Sequence, residues 1–246
     1  MLKPWQSFIT EIDRDKLVTR GIDQEEILRS YRYEEMVYLL VLGKRPTEVD
    51  SEMLRAVIIS HCSHGITGQS TLAVRMGADC GSSALNSILA GFLVGSGTYH
   101  QGGFEAAMRE LQILAIQDDI AAYIRRRIQE RDRIAGFGHR FYNEDPRARV
   151  LMELCDQHHF GGKHVKVARQ ADEILRIEKG IHINIDGAGG AILLDLGFPV
   201  EIAPLIILIG RGPMFAAVYL ERLREGNKHF PIINVSDVFP EGGERD

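Results

Sequence analysis

Arg133-Ile-Ala-Gly-Phe-Gly-His-Arg-Phe-Tyr-Asn-Glu-Asp-Pro-Arg147 decides how the rest of the chain is read. It presents one histidine, His139, from a loop flanked by Gly136 and Gly138. Eight residues on, Arg147 falls on the first turn of an expected helix, with Asp145 as N-cap and Pro146 at the first helical position. Histidine moves a proton near neutral pH. Arginine grips a carboxylate with two parallel hydrogen bonds. The pair therefore suits a substrate with a carboxylate and a transferable proton, although a solvated loop with scattered charge looks the same at this level.

Outward from that loop, apolar residues recur at helical spacing almost everywhere. Ile27, Tyr31, Met36, Leu39 and Leu40 predict a helix from Asp23 that stops at Gly43-Lys-Arg-Pro46. A second is expected from Thr47 to about His64-Gly65, then two more over 71–77 and 82–95. The last of these is apolar on most faces, which places it in the core or at a subunit interface. Helices follow over 104–116, 119–130, 147–158 and 165–178, one after 183–190, and a last one over 204–224. Residues 1–22 are mixed, fitting a short arm or hairpin, and the tail 239–246 is polar. Since almost nothing alternates with a period of two, the expected class is all-α.

The chain has 246 residues, 45% hydrophobic and 26% charged, the balance of a soluble globular protein. A net charge of −5 without a basic block gives no reason to expect nucleic acid. Three scattered cysteines fit neither a disulfide framework nor a Cys-x-x-Cys site, so a reducing, cytoplasmic setting is expected. The start lacks the pattern of a signal peptide, and the apolar run 84–94 is too short to span a bilayer. No membrane association is expected.

Three polar residues stand where helices break: His100 in Gly95-Ser-Gly-Thr-Tyr-His-Gln-Gly-Gly103, His139, and Asp186 in Ile183-Asn-Ile-Asp-Gly187. Glycine there allows close backbone approach to a ligand. Each has a plain structural reading beside it: a hinge histidine, a loop histidine, a helix N-cap. Arg211 sits in the apolar run Leu205-Ile-Ile-Leu-Ile-Gly-Arg-Gly-Pro-Met-Phe215, where a buried cation calls for an anionic partner. His61 and His64 would share a helix face, but without a third ligand nearby no metal site is expected. No phosphate-cradling glycine motif for ATP or a nicotinamide is present.

Together these pieces resemble the citrate synthase superfamily. Gly136-Phe-Gly-His-Arg with Asp145-Pro-Arg147 looks like its catalytic histidine and carboxylate-binding arginine. Tyr99-His-Gln-Gly-Gly-Phe-Glu-Ala-Ala107 resembles its Pro-x-His-Gly-Gly-Ala-Asn-Glu segment, and Asn184-Ile-Asp186 its aspartate motif. Within the superfamily the chain is most similar to citryl-CoA lyases and the C-terminal module of ATP-citrate lyases. That likeness rests on Ser63-His-Gly-Ile-Thr-Gly-Gln-Ser70, Asn184-Ile-Asp-Gly187, Leu208-Ile-Gly-Arg-Gly-Pro-Met-Phe215 and the tail Val235-Ser-Asp-Val-Phe-Pro-Glu241. Two departures separate it from ordinary citrate synthases: their long N-terminal part, and an arginine segment near the C-terminus where this chain reads Lys228-His-Phe-Pro231.

The resemblance implies two helical lobes with the active site between them. Residues 1–100 and 198–246 would form the large lobe and 101–197 the small one. It also implies cleavage of citryl-CoA to acetyl-CoA and oxaloacetate. His139 would take the hydroxyl proton, His100 would hydrogen-bond the thioester oxygen, and a protonated Asp186 would deliver a proton to carbon. His64, Arg147 and Arg211 would hold the oxaloacetate part, and Gly136, Phe137 and Gly138 would face the CoA. No tightly bound cofactor and no metal are implied; coenzyme A enters as part of the substrate, and a homodimer or higher homo-oligomer is expected. The alternatives are a citrate or 2-methylcitrate synthase, and a catalytically idle CoA-binding or oligomerisation subunit.

Overall fold

The computed structural model describes residues 7–226. The expectations for the tail, including the run from Lys228, lie outside the described residues. The fold is all-α with a small sheet: 65% of it is helix. The N-terminal segment is an antiparallel meander of β1 (Thr10–Asp13), β2 (Lys16–Thr19) and β3 (Ile22–Asp23), with Thr10 opposite Thr19 and Val18 opposite Asp23. This is the hairpin reading of that segment, extended by a third short strand.

The helix expected from Asp23 is two helices, α1 (Gln24–Ser30) and α2 (Tyr33–Leu42). Arg32 breaks the run. Its backbone N–H donates to Glu35 at 2.8 Å, and its guanidinium meets Glu34, Glu35, Glu48 and Glu52. A residue held by a capping contact and four carboxylates starts a new helix instead of continuing the old one. Periodicity alone does not show such a break, because the apolar residues resume in step.

Then come α3 (Glu48–Ser60), α4 (Gln69–Asp79), α5 (Ala84–Gly95), α6 (Gly102–Leu114) and α7 (Ile120–Gln129). They are followed by α8 (Pro146–Gln157), α9 (Lys163–Lys179), α10 (Ile185–Leu196), a 3-10 turn at Val200–Ile202 and α11 (Ala203–Arg224). The starts are written in the sequence: Asp23, Thr47, Ser83, Asp119, Asp145 and Asn184 each accept a backbone N–H from the first turn. Gly43, Gly180 and Gly197 close three of the helices in left-handed conformation.

The chain packs as two compact units. Among the described residues, the first holds 7–61 and 101–210 and the second holds Cys62–His100 and 211–226. This is a division by packing, whereas the lobes implied by the resemblance concern closure; the two share a crossing at 100–101.

In the first unit α10 is central and packs against α3, α6, α8 and α9. Its glycines let α6 come close. A Cβ on Gly189 would lie 2.9 Å from the Phe104 ring, and one on Gly190 would lie 3.0 Å from Met108. Ile192 and Leu193 are buried beside them, each worth roughly 1.5–3 kcal/mol of burial.

In the second unit α4 and α5 pack as an antiparallel pair across Gly77 and Gly91, which face Ser87 and Val74. Val74, Phe215 and Val218 form its buried apolar cluster. Tyr219 donates to the Ser82 carbonyl at 3.1 Å, and Arg222 is paired with Asp79 and Glu225. Leu85, Leu89 and Leu93 on α5 are 67%, 46% and 75% exposed, so α5 is not central in the core. The core, one of the two places expected for it, is therefore not where it lies.

Candidate functional site

In the first unit the expected site is built at the N-terminus of α10. Asn184 caps that helix: its side-chain oxygen accepts the N–H of Asp186 at 2.9 Å and of Gly187 at 3.1 Å. Its amide nitrogen donates to the Gly138 carbonyl at 2.8 Å. One side chain therefore ties the helix that carries Asp186 to the loop that carries His139. The main chain adds to this. Gly138 N–H donates to the His182 carbonyl at 2.7 Å, and Asn184 N–H to the Gly136 carbonyl at 3.0 Å. The two backbones meet at Gly136 and Gly187, where a Cβ on Gly136 would lie 2.9 Å from the Gly187 Cα. Gly136 also has φ +88°, so both space and conformation demand glycine there.

Phe137 is buried, its side chain part of the core. Of the expected 136–138 surface for CoA, the side chain of Phe137 is thus structural, and three backbone groups of the loop are taken up by 182–184.

Asp145 joins the second pair. Its carboxylate accepts Arg147 Nε at 3.0 Å and Nη2 at 2.8 Å, and also the N–H of Ile185 at 3.1 Å. Burial opposes charge on Asp145, but the bonds and charge of Arg147 and the N–H groups of Arg147 and Ile185 outweigh it. They hold the carboxyl below the usual carboxylate range. The N-cap expected from sequence is thus also the clamp that aims Arg147.

His139 is held through Nδ1, which accepts the N–H groups of Phe141 at 3.1 Å and Tyr142 at 3.2 Å. The Tyr142 ring lies alongside at 4.6 Å between centroids. A nitrogen that accepts two donors carries no proton, so the neutral ring is protonated on Nε2. Burial, above all, lowers the pKa of His139; Arg147 and Arg140 add to this against Asp145. Nε2 stands 3.5 Å from Arg147 Nη2. At that distance two donors face each other without bonding, and an oxygen acceptor bridging them would satisfy both.

In the second unit Ser70, fully buried near the start of α4, holds His100 with Oγ 2.8 Å from Nε2. The His64 ring lies 5.9 Å from that of His100. His64 Nδ1 donates to the Gly65 carbonyl at 3.0 Å, and the ring lies over Gly68, where any Cβ would collide with it. Arg211 is buried on α11 beside Pro213, which cannot donate to the Ile209 carbonyl. His61 caps α3 instead of joining His64: its Nδ1 donates to the Val57 carbonyl at 2.9 Å, and its ring packs edge-on against Phe104. No group of three or more metal-ligating side chains occurs among the described residues.

The sequence is matched over residues 41–233 by the family described as citrate synthase, C-terminal domain. The chain belongs to the citrate synthase family. Its members are enzymes acting on CoA thioesters. Citrate synthase of Helicobacter pylori is 30% identical over 80% of this chain and 49% of its own length. The chain spans about half the length of the curated citrate synthases it matches. The solved structure of citryl-CoA lyase from Hydrogenobacter thermophilus is 29% identical and superposes with a TM-score of 0.87 over 99% of this chain and 96% of that one. ATP citrate lyase from Methanothrix soehngenii, 20% identical, shares the fold with a TM-score of 0.86 over 96% of this chain and 42% of its own.

Asn184, Asp145 and Ser70 orient the expected family residues, a task that their places in the sequence motifs do not reveal. Asn-x-Asp at the start of an apolar run is a cap signal. The bonds Ser70–His100, Asp145–Ile185 and Asn184–Gly138 span 30–46 residues, and spacing does not report those.

Proposed function

We propose that the chain is a citryl-CoA lyase, cleaving citryl-CoA to acetyl-CoA and oxaloacetate. The observation that carries this reading is the near end-to-end likeness to a solved citryl-CoA lyase at 29% identity. Arg147, clamped by Asp145, would take a carboxylate of the oxaloacetate part, the part to which the resemblance also assigns His64 and Arg211. His100, oriented by Ser70, would hydrogen-bond the thioester oxygen as the carbon–carbon bond breaks and the enolate forms. Asp186 would then give its proton to that carbon. Coenzyme A comes and goes as part of substrate and product.

His139 enters this scheme with a changed task. The resemblance implies a base for the citryl hydroxyl. With Nδ1 accepting two N–H groups, the neutral ring is instead a donor at Nε2 and would hydrogen-bond that oxygen, while the hydroxyl's own proton passes to water as the oxaloacetate carbonyl forms and the proton that Asp186 gives to carbon is restored from water, so that none is gained or lost. Acting as a base would require the other tautomer and the loss of both N–H···Nδ1 bonds.

A second reading is a citrate or 2-methylcitrate synthase, which the names of the curated relatives favour. Incubation with citryl-CoA, and separately with acetyl-CoA plus oxaloacetate, separates the two. Acetyl-CoA and oxaloacetate from citryl-CoA support the lyase, whereas rapid thiol release in the second mixture supports the synthase. Asp186→Asn should lower cleavage by about 10²–10⁴-fold. Full activity in that variant would overturn the scheme, and CoA binding by the parent without any turnover would leave an idle binding subunit.

A further inference from the structure

The loop that carries His139 is held from one side by Asn184. Its other side, 132–135, meets a buried ion pair that the scheme above does not use. Glu110 of α6 and Arg127 of α7 are paired at 3.2 Å, with side chains only 8% and 17% exposed. Arg127 donates to three acceptors, Glu110, the Tyr123 hydroxyl at 2.6 Å and the Arg133 carbonyl at 2.9 Å, and Asp132 lies 3.2 Å away as an ion-pair partner. Glu110 in turn is faced by the backbone N–H of Ala135. Arg127 thus holds the chain before Ile134 through the Arg133 carbonyl, and the Glu110 carboxylate faces the N–H that follows Ile134. Ile134 itself is buried in the core. The next residue after Ala135 is Gly136, where the glycine crossing begins.

Burying an ion pair is costly, and replacing one by apolar side chains of similar size is often neutral or stabilising. Two helices that needed only to pack together would gain from such a replacement. Here the guanidinium and the carboxylate also satisfy backbone groups of a segment that has no helix or strand partners of its own. Burial raises the pKa of the Glu110 carboxyl against the pull of Arg127 and the Ala135 N–H.

We infer that Glu110 and Arg127 are positioning residues, which fix the segment 133–135 and through it the geometry of the 136–139 loop toward the CoA ester. This rests on the proposed function for the catalytic reading of that loop, but not for the mechanical one.

The experiment uses the full chain with Glu110→Met and Arg127→Met combined, and with Arg127→Lys alone. Hydrogen–deuterium exchange and steady-state kinetics on citryl-CoA are measured well below the melting temperature. The double variant should melt within a few degrees of the parent or higher. Its exchange over 132–139 should rise, and kcat/KM should fall on the order of ten- to a hundredfold, with part of the loss in KM. Arg127→Lys should not rescue, because an ammonium cannot span three separated acceptors. Unchanged exchange over 132–139 overturns the brace. Faster exchange with unchanged kinetic constants overturns its positioning role and leaves the proposed function standing. A parent that turns over no acyl-CoA overturns the proposed function instead, and the exchange result then decides on the brace alone.

Discussion

At the scale of the residue, the chemistry turns on which nitrogen of His139 holds the proton. The structure answers through two N–H groups on Nδ1, and the same two groups oppose an imidazolium, which would put a third N–H against them. Its pKa is accordingly held below the ordinary value of about 6.5 by burial, with Arg147 and Arg140 adding to the effect. The sign follows. The neutral ring is the working form, so the limb of the kcat/KM profile that His139 sets lies on the acid side, with activity falling as pH drops through the depressed pKa. Arg140→Gln takes away one of the cations that lower it. The acid limb of the kcat/KM profile should then move up in pH, whatever happens to its height. A limb that stays in place or moves down would show that another group sets it. Nitrogen NMR of the ring should find the proton on Nε2 at pH 7; a proton on Nδ1 would restore His139 as the base.

At the scale of the element, the N-terminus of α10 is where most of the sequence reading meets the structure. The helix starts, the glycine stops and the Asp145-Pro146 entry were legible because capping is local. The break at Arg32 was not: an arginine is not a usual N-cap, and besides the Glu35 contact its guanidinium is met by Glu48 and Glu52 of the next helix. The tasks of Ser70, Glu110 and Arg127 were hidden for the same reason.

Asn184 gives a test in which cap and loop separate. Asn184→Ala removes a cap worth about 0.5–2 kcal/mol, which for a chain of this size lowers Tm by roughly 2–4 °C per kcal/mol. It also releases Gly138, next to His139. Thr47→Ala removes a comparable cap from α3 with no link to the loop. Both variants should lose similar Tm, but only Asn184→Ala should lose substantial kcat/KM. Equal kinetic losses would mean that global stability, not the loop, is being read.

At the scale of the whole molecule, the order of three motifs along the chain revealed the family, and the structure then divided the motif residues between two packed units. His139, Arg147 and Asp186 fall in the first, and His64, His100 and Arg211 in the second. The second unit is the one whose surface is unusual. Among the described residues its buried apolar cluster is Val74, Phe215 and Val218, while Leu85, Leu89 and Leu93 line one face of α5 at intervals of four and stand largely exposed. Fully burying one leucine side chain is worth roughly 1.5–3 kcal/mol. Three on one face, with Leu72 and Met76 exposed on α4, make a surface that a second copy would cover favourably, in line with the oligomer expected from sequence. Leu85→Glu combined with Leu89→Glu would place two carboxylates per copy across such a contact. Sedimentation at micromolar concentration should show the parent as a dimer or larger and this variant as a monomer, with a lower Tm. A parent that sediments as a monomer, or a variant that keeps the parent's mass, would mean that this face contacts something other than its own copy.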